Sequence, residues 1–160
     1  MYEVQNKSKI LVVEDDASIQ QVLSVFLQCA GFEVYSVSNG QDAIRVIPEF
    51  DPHLIVLDLL MQPMNGWEVL SWLRVNSITP PLPVLVLTAL SHVTQQVQGF
   101  EEGAVEYVTK PTQPGILVAR IRDILSLSVE QRTLLRHKRM DQQRRVLEQI
   151  YAPQPDEFVY

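Results

Sequence analysis

The sequence predicts an α/β protein: a doubly wound, five-stranded parallel sheet in the order 2-1-3-4-5, flanked by five helices and followed by a C-terminal helical extension. Three observations predict it. Short aliphatic blocks recur along the chain, ILVV at 10–13, LIVL at 54–57 and VLVL at 84–87. Being apolar at consecutive rather than alternate positions, they fit strands buried on both faces. Segments with helical spacing separate them, each long enough for the crossover that parallel strands require; right-handed crossovers make a doubly wound open sheet the economical solution, and 2-1-3-4-5 is its common five-stranded order.

Taken in order, ILVV opens the sheet. The segment SIQQVLSVFLQCAGF follows, with Ile19, Val22, Leu23, Phe26 and Leu27 on one stripe and a stop at Gly31. Cys29 lies on its apolar side and reads as a small buried hydrophobe. FEVYSV at 32–37 alternates and suits a strand nearer an edge, and the weaker AVEYV at 104–108 completes the five. Helices are expected over 39–50, 66–76, 94–102 and 113–127; Trp67 and Trp72, five apart, do not share one narrow stripe. Asp16 is read as the helix cap ahead of Ala17-Ser18.

Composition narrows the function. A chain of 160 residues holds one core of ordinary size plus an appendage. It contains no apolar run of about 20 residues of the kind that spans a bilayer. Its first residues lack the features of a secretory signal, and one cysteine forms no internal disulfide, so a cytoplasmic location is expected. Residues 1–127 carry seven Lys and Arg against fourteen Asp and Glu, whereas residues 128–151 carry six against three. The acidic body speaks against general nucleic-acid binding.

In doubly wound sheets the site lies outside the carboxyl ends of the strands. There the sequence sets Glu14 and Asp15 after the first strand, Asp58 after the third, Thr88 after the fourth and Lys110 after the fifth. Carboxylates held together repel unless a cation neutralises them, and oxygen-only ligands favour Mg²⁺. A lysine and a hydroxyl opposite the acids suit an incoming phosphoryl group. Reversible acyl-phosphate formation on one of the three carboxylates is the chemistry this suggests. No phosphate-binding glycine loop or dinucleotide fingerprint occurs. A flavin role rests on fold analogy alone. Aspartyl phosphatases and dehalogenases usually place a second acid two residues on, where Leu60 stands.

The blocks ILVVEDD at 10–16, LIVLDLLMQPMNGWEVL at 54–70, VLVLTAL at 84–90 and GAVEYVTKP at 103–111 together resemble the receiver domains of two-component response regulators, the chemotaxis-type, flavodoxin-like receivers. The resemblance implies Asp58 as phosphoacceptor, Glu14 and Asp15 as the acidic pair, and Asp15 as the more direct metal ligand with Asp58 and the backbone carbonyl of Leu60. It implies that Thr88 and Lys110 contact the phosphoryl group, that Tyr107 is the switch aromatic moving with Thr88, and that Lys110-Pro111 is cis. A packing role also fits Tyr107. The phosphoryl group would come from a sensor histidine kinase, a phosphotransfer protein or a small donor, and the chain would be no enzyme beyond its own phosphoryl transfer and slow dephosphorylation.

Several positions depart from the family pattern. Proline stands one place late in Met61-Gln62-Pro63-Met64-Asn65-Gly66, which implies a different loop shape. Thr112-Gln113 replaces the Phe that often follows Lys-Pro. Leu60 and Leu90, two beyond Asp58 and Thr88, are aliphatic and orient no water, so slow self-dephosphorylation is expected. His53, His92 and His137 lack partners at ligand spacing and are read as incidental.

The organisation expected is a flexible leader over 1–8, a receiver domain over 9–127, a helical extension over 128–151 and a flexible tail or linker over 152–160. The extension is rich in helix formers, but its apolar residues sustain no clean heptad, and the cluster Arg136 to Arg139 is read as a solvated face in preference to a DNA contact. The expected output is a changed preference of the face built from the fourth helix, fifth strand and fifth helix, or of the C-terminal helix, for a protein partner or a second copy. Two alternatives stand beside this reading: a phosphorylation-independent interaction module, and the receiver part of a longer regulator whose output domain is missing.

Overall fold

The computed structural model describes residues 6–76, 78 and 80–152. Most of the leader expected over 1–8 and of the tail expected over 152–160 lies outside them. Eleven elements follow one another: β1 Lys9–Val13, α1 Ala17–Cys29, β2 Glu33–Val37, α2 Gly40–Phe50, β3 Leu54–Leu57, α3 Gly66–Val75, β4 Val84–Thr88, α4 Val93–Glu101, β5 Glu106–Thr109, α5 Pro114–Ser126 and α6 Val129–Tyr151. The five strands are parallel in the order β2-β1-β3-β4-β5. No helix among the described residues is long and apolar enough to cross a membrane.

Consecutive apolar positions in a strand point alternately to its two faces, and the core divides accordingly. Leu11, Val13, Ile55 and Leu57 join one cluster, with residues of α2, α3 and α4. Ile10, Val12, Leu54 and Val56 join the other, with Leu23 and Leu27 of α1 and Leu117, Ile121 and Ile124 of α5. All eight strand residues are at most 2% exposed, and each such burial contributes about 1.5–3 kcal/mol. At the edge, β2 alternates between exposed and covered positions, as its sequence implied.

The first helix differs in detail from its expected stripe. Leu23 and Leu27 are buried, but Val22 and Phe26 are each 48% exposed and Cys29 is exposed. A helix flanking a sheet rests on a narrow line of residues four apart, and a neighbour one position away is turned by about 100°. Asp16 does cap α1, accepting the Ile19 amide at 3.0 Å. Trp67 and Trp72 are both half-buried against the core.

Helix α6 departs from the solvated reading of its basic cluster at Arg136 and Arg139. Its half-buried positions, Arg132, Leu135, Arg136, Arg139, Met140, Gln143 and Leu147, recur at helical spacing, and it packs chiefly on α4. Arg136 and Arg139 belong to this docked stripe and are half-buried, each meeting an acceptor on the body of the fold: the Phe100 carbonyl at 2.9 Å and Glu106 at 2.9 Å. His137 and Lys138 face solvent.

Candidate functional site

The strands end in register, so the residues just beyond them gather at one edge of the sheet. Glu14 leaves β1 with its amide donating to the Val37 carbonyl at 3.1 Å, and Asp58 leaves β3 with its amide donating to the Val13 carbonyl at 3.0 Å. The last sheet bonds thus aim both acids into one space. Carboxylate oxygens of Glu14, Asp15 and Asp58 all lie within 4.8 Å of one another. Glu14 is 2% and Asp58 5% exposed, whereas Asp15 is open to solvent.

Lys110 reaches in from the end of β5 and donates to Glu14 Oε2 at 2.6 Å and Asp58 Oδ2 at 2.8 Å. Thr88, fully buried, closes β4, and its Oγ1 lies 3.5 Å from the Leu90 amide. The sequence-predicted set, Glu14, Asp15, Asp58, Thr88 and Lys110, is therefore brought to one edge. Leu60 joins it by donating its amide to Asp58 Oδ1 at 3.1 Å, with its own side chain 49% exposed.

Burial raises the Glu14 carboxyl above its ordinary pKa; the Lys110 bond opposes that and the Asp58 charge adds to it. For Lys110 burial pulls downward, but hydrogen bonds to Asp58 and Glu14 outweigh it and leave the ammonium held above its usual value. Three clustered carboxylates facing one ammonium have spare negative charge and hard oxygen donors, which fits Mg²⁺.

Tyr107 is buried, with its hydroxyl donating to the Leu90 carbonyl at 2.8 Å and its ring centroid 6.4 Å from that of Phe100. Burial, then the Asp58 charge, pushes its hydroxyl up to about 12. The ring has room because residue 99 is glycine: a Cβ there would sit 2.8 Å from Tyr107 Cδ2. Gly66 serves the site similarly, since a Cβ on it would lie 2.2 Å from the Asp58 carbonyl oxygen. Only glycine lets the start of α3 lie this close behind the acid.

The loop after Asp58 carries the shifted proline as a cis Gln62–Pro63 bond, beside the expected cis Lys110–Pro111. Met64 then takes a left-handed φ of 61°, and its carbonyl accepts the Gly40 amide at 2.9 Å. Two contributors escaped the sequence reading. Gln20 donates Nε2 to the carbonyls of Glu14 at 3.0 Å and Val37 at 2.9 Å, pinning the β1 exit; a glutamine on the inner side of an amphipathic helix was the available signal. Glu106, 3% exposed, meets Arg120 at 3.0 Å and Arg139 at 2.9 Å. Nothing local to Glu106 announces that pairing. His53 Nδ1 accepts the Lys9 amide at 2.8 Å, a structural task.

Comparison with known proteins agrees with this geometry. A family model for the response regulator receiver domain matches residues 10–122. The chain is 41% identical over 119 residues to a probable transcriptional regulator, ycf27, of Porphyridium aerugineum, covering 74% of this chain and 48% of that one. It is 39% identical over 116 residues to the DNA-binding response regulator MtrA of Mycolicibacterium paratuberculosis, covering 72% of this chain and 50% of that one. It therefore spans about half the length of the curated relatives it matches. Among solved structures, the BeF3-activated DrrB receiver domain superposes with a TM-score of 0.68 at 35% identity, over 76% of this chain and 99% of that one. Chemotaxis response regulator CheY4 of Vibrio cholerae gives 0.69 at 30% identity, over 74% and 98%.

Proposed function

Because the chain belongs to the response regulator receiver domain family of two-component systems, we propose that it is a phosphorylation-dependent signalling switch with Asp58 as its phosphoacceptor. One observation carries this: a buried carboxylate on a central strand end, bonded to a lysine and crowded by two further acids. An Asp58 carboxylate oxygen attacks the phosphorus of a kinase or phosphotransfer-protein phosphohistidine. The O–P bond forms as the N–P bond breaks, and the imidazole nitrogen keeps the bonding pair and takes up a proton.

Lys110 supplies positive charge to the phosphoryl oxygens, and Thr88 donates its hydroxyl to one of them. Glu14, Asp15, Asp58 and the Leu60 carbonyl are the residues that would hold Mg²⁺, which, when bound, offsets repulsion between the carboxylate and the incoming phosphoryl oxygens. Leu60 and Leu90 offer no group to orient water, so the aspartyl phosphate is long-lived, and the chain is no enzyme beyond its own transfer and slow hydrolysis. The output is a population shift in the face formed by α4, β5 and α5, acting in the cytoplasm on a protein partner or a second copy.

The test is intact mass after incubation with acetyl phosphate and Mg²⁺. One phosphoryl mass is expected, lost with EDTA and in Asp58→Ala. Partner binding and oligomeric state that do not change between wild type and Asp58→Asn, with and without donor, would instead support a phosphorylation-independent interaction module. Relatives that match this chain over only about half of their own length and are named as DNA-binding or transcriptional regulators favour a second reading at the level of the whole protein: this chain as the receiver part of a longer regulator.

A further inference from the structure

Helix α6 lies on the face formed by α4, β5 and α5, held by a few apolar contacts and a row of arginines. None of its residues is fully buried, so its apolar burial is shallow. Leu135 packs on the cluster containing Leu117, Ile121 and Ile124 of α5, and Met140 on the one containing Phe100 and Tyr107. Its arginines do the rest. Arg132 Nε donates to the Ile124 carbonyl at 3.0 Å, Arg136 to the Phe100 carbonyl at 2.9 Å and Arg144 to Glu101 at 2.8 Å. Arg139 reaches the buried Glu106, which Arg120 of α5 also binds.

The clasp is imperfect, because Arg139 Nε is buried with no hydrogen-bond partner among the described residues. A docked helix with shallow burial and an unmet buried donor sits at the weakly held end of a structure's local stabilities. It is also tied to the phosphorylation edge. The Leu90 carbonyl accepts from Tyr107, and the Leu90 amide faces Thr88 Oγ1. The Tyr107 ring abuts Gly99, while the next two residues of α4, Phe100 and Glu101, are the ones that bind Arg136 and Arg144. Gly99–Glu101 therefore meets the Tyr107 ring on one side and α6 on the other.

We propose that α6 is an intramolecular occupant of the α4–β5–α5 face, clasped by Arg139 on Glu106, and that phosphorylation of Asp58 releases it. This rests on the phosphoacceptor reading above. When Thr88 turns to the phosphoryl group it gives up the Leu90 amide, the loop carrying the acceptor of Tyr107 shifts, and the end of α4 moves against its arginine contacts. A partner for this face then competes with the chain's own helix, and the released α6 exposes Arg132, Arg136, Arg139 and Met140.

Hydrogen exchange of the full chain, with and without acetyl phosphate and Mg²⁺ and with intact mass recorded on the same samples, tests it. Phosphorylated protein should exchange its α6 amides roughly 5- to 150-fold faster, the range of ordinary coupling between sites, with α1 to α3 unchanged. Arg139→Ala should speed α6 exchange without phosphorylation. A phosphoryl mass with unchanged α6 exchange overturns the release and leaves the phosphoacceptor reading standing. No phosphoryl mass from acetyl phosphate or a phosphohistidine donor overturns both. Unchanged exchange in Arg139→Ala overturns the clasp.

Discussion

Two buried glutamates, Glu14 at 2% and Glu106 at 3% exposure, sit in opposite electrostatic situations. Around Glu14, three carboxylates face a single ammonium from Lys110. Around Glu106, two guanidiniums and the Tyr107 amide face a single carboxylate. The first cluster has unmet negative charge and open access at Asp15; the second carries more cation than it needs and is closed over by α6. Burial of an acid is thus no sign of chemistry by itself. A deficit of counter-charge marks a place built to receive ions, while a surplus marks a place built to hold elements together.

The sharpest break between the two regions is functional. Asp58→Ala is expected to abolish phosphoryl uptake from acetyl phosphate, whereas Glu106→Leu is expected to retain it; intact mass on both variants decides. Equal loss in the two would erase the distinction.

Next in size is Gly66→Ala. The added methyl would meet the Asp58 carbonyl oxygen at 2.2 Å and Leu59 Cα at 2.8 Å. Backbone yields little, so we expect about 3 kcal/mol of destabilisation in urea unfolding, near the upper end for overpacking. A change below about 0.5 kcal/mol would mean that the loop behind the acid is soft.

Smaller is Glu106→Leu itself, at about 2 kcal/mol. Breaking a buried pair usually costs more, but Arg120 and Arg139, 40% and 34% exposed, keep access to water. Urea midpoints of Glu106→Leu and Arg139→Ala, with their double variant, measure the coupling. Additive effects would show that the clasp holds nothing.

The smallest effect is the titration of Tyr107, which lies between the two regions. Its folded pKa of about 12 exceeds the usual value near 10. The stability linked to its neutral form is therefore complete below about pH 10 and is lost as pH rises through about 12. Ultraviolet difference titration of wild type against Tyr107→Phe should show one tyrosine ionising late. Ionisation near 10 would place the ring in water and remove the link between site and clasp.

These regions also differ in how far they could be read from the chain. The strands and the edge holding Glu14, Asp15, Asp58, Thr88 and Lys110 were legible because aliphatic runs and the residues that end them lie together in sequence, and the strand order followed as the common one for such a sheet. An apolar stripe on the first helix was legible too, but not its width: Val22, Phe26 and Cys29 stand outside the buried line. Glu106 read as an ordinary strand position and Arg139 as a solvated charge.

The sequence by itself determined the sheet, the acidic edge and the helical character of α6, since each follows from the period of apolar residues and from what interrupts it. Only the tertiary structure decided that α6 folds back on α4, that Arg139 finds Glu106, and that Gly99 makes room for Tyr107. The physical reason is range. Periodicity records which face of an element shuns water, whereas the partner of a long charged side chain is chosen by elements that the chain brings together from far apart.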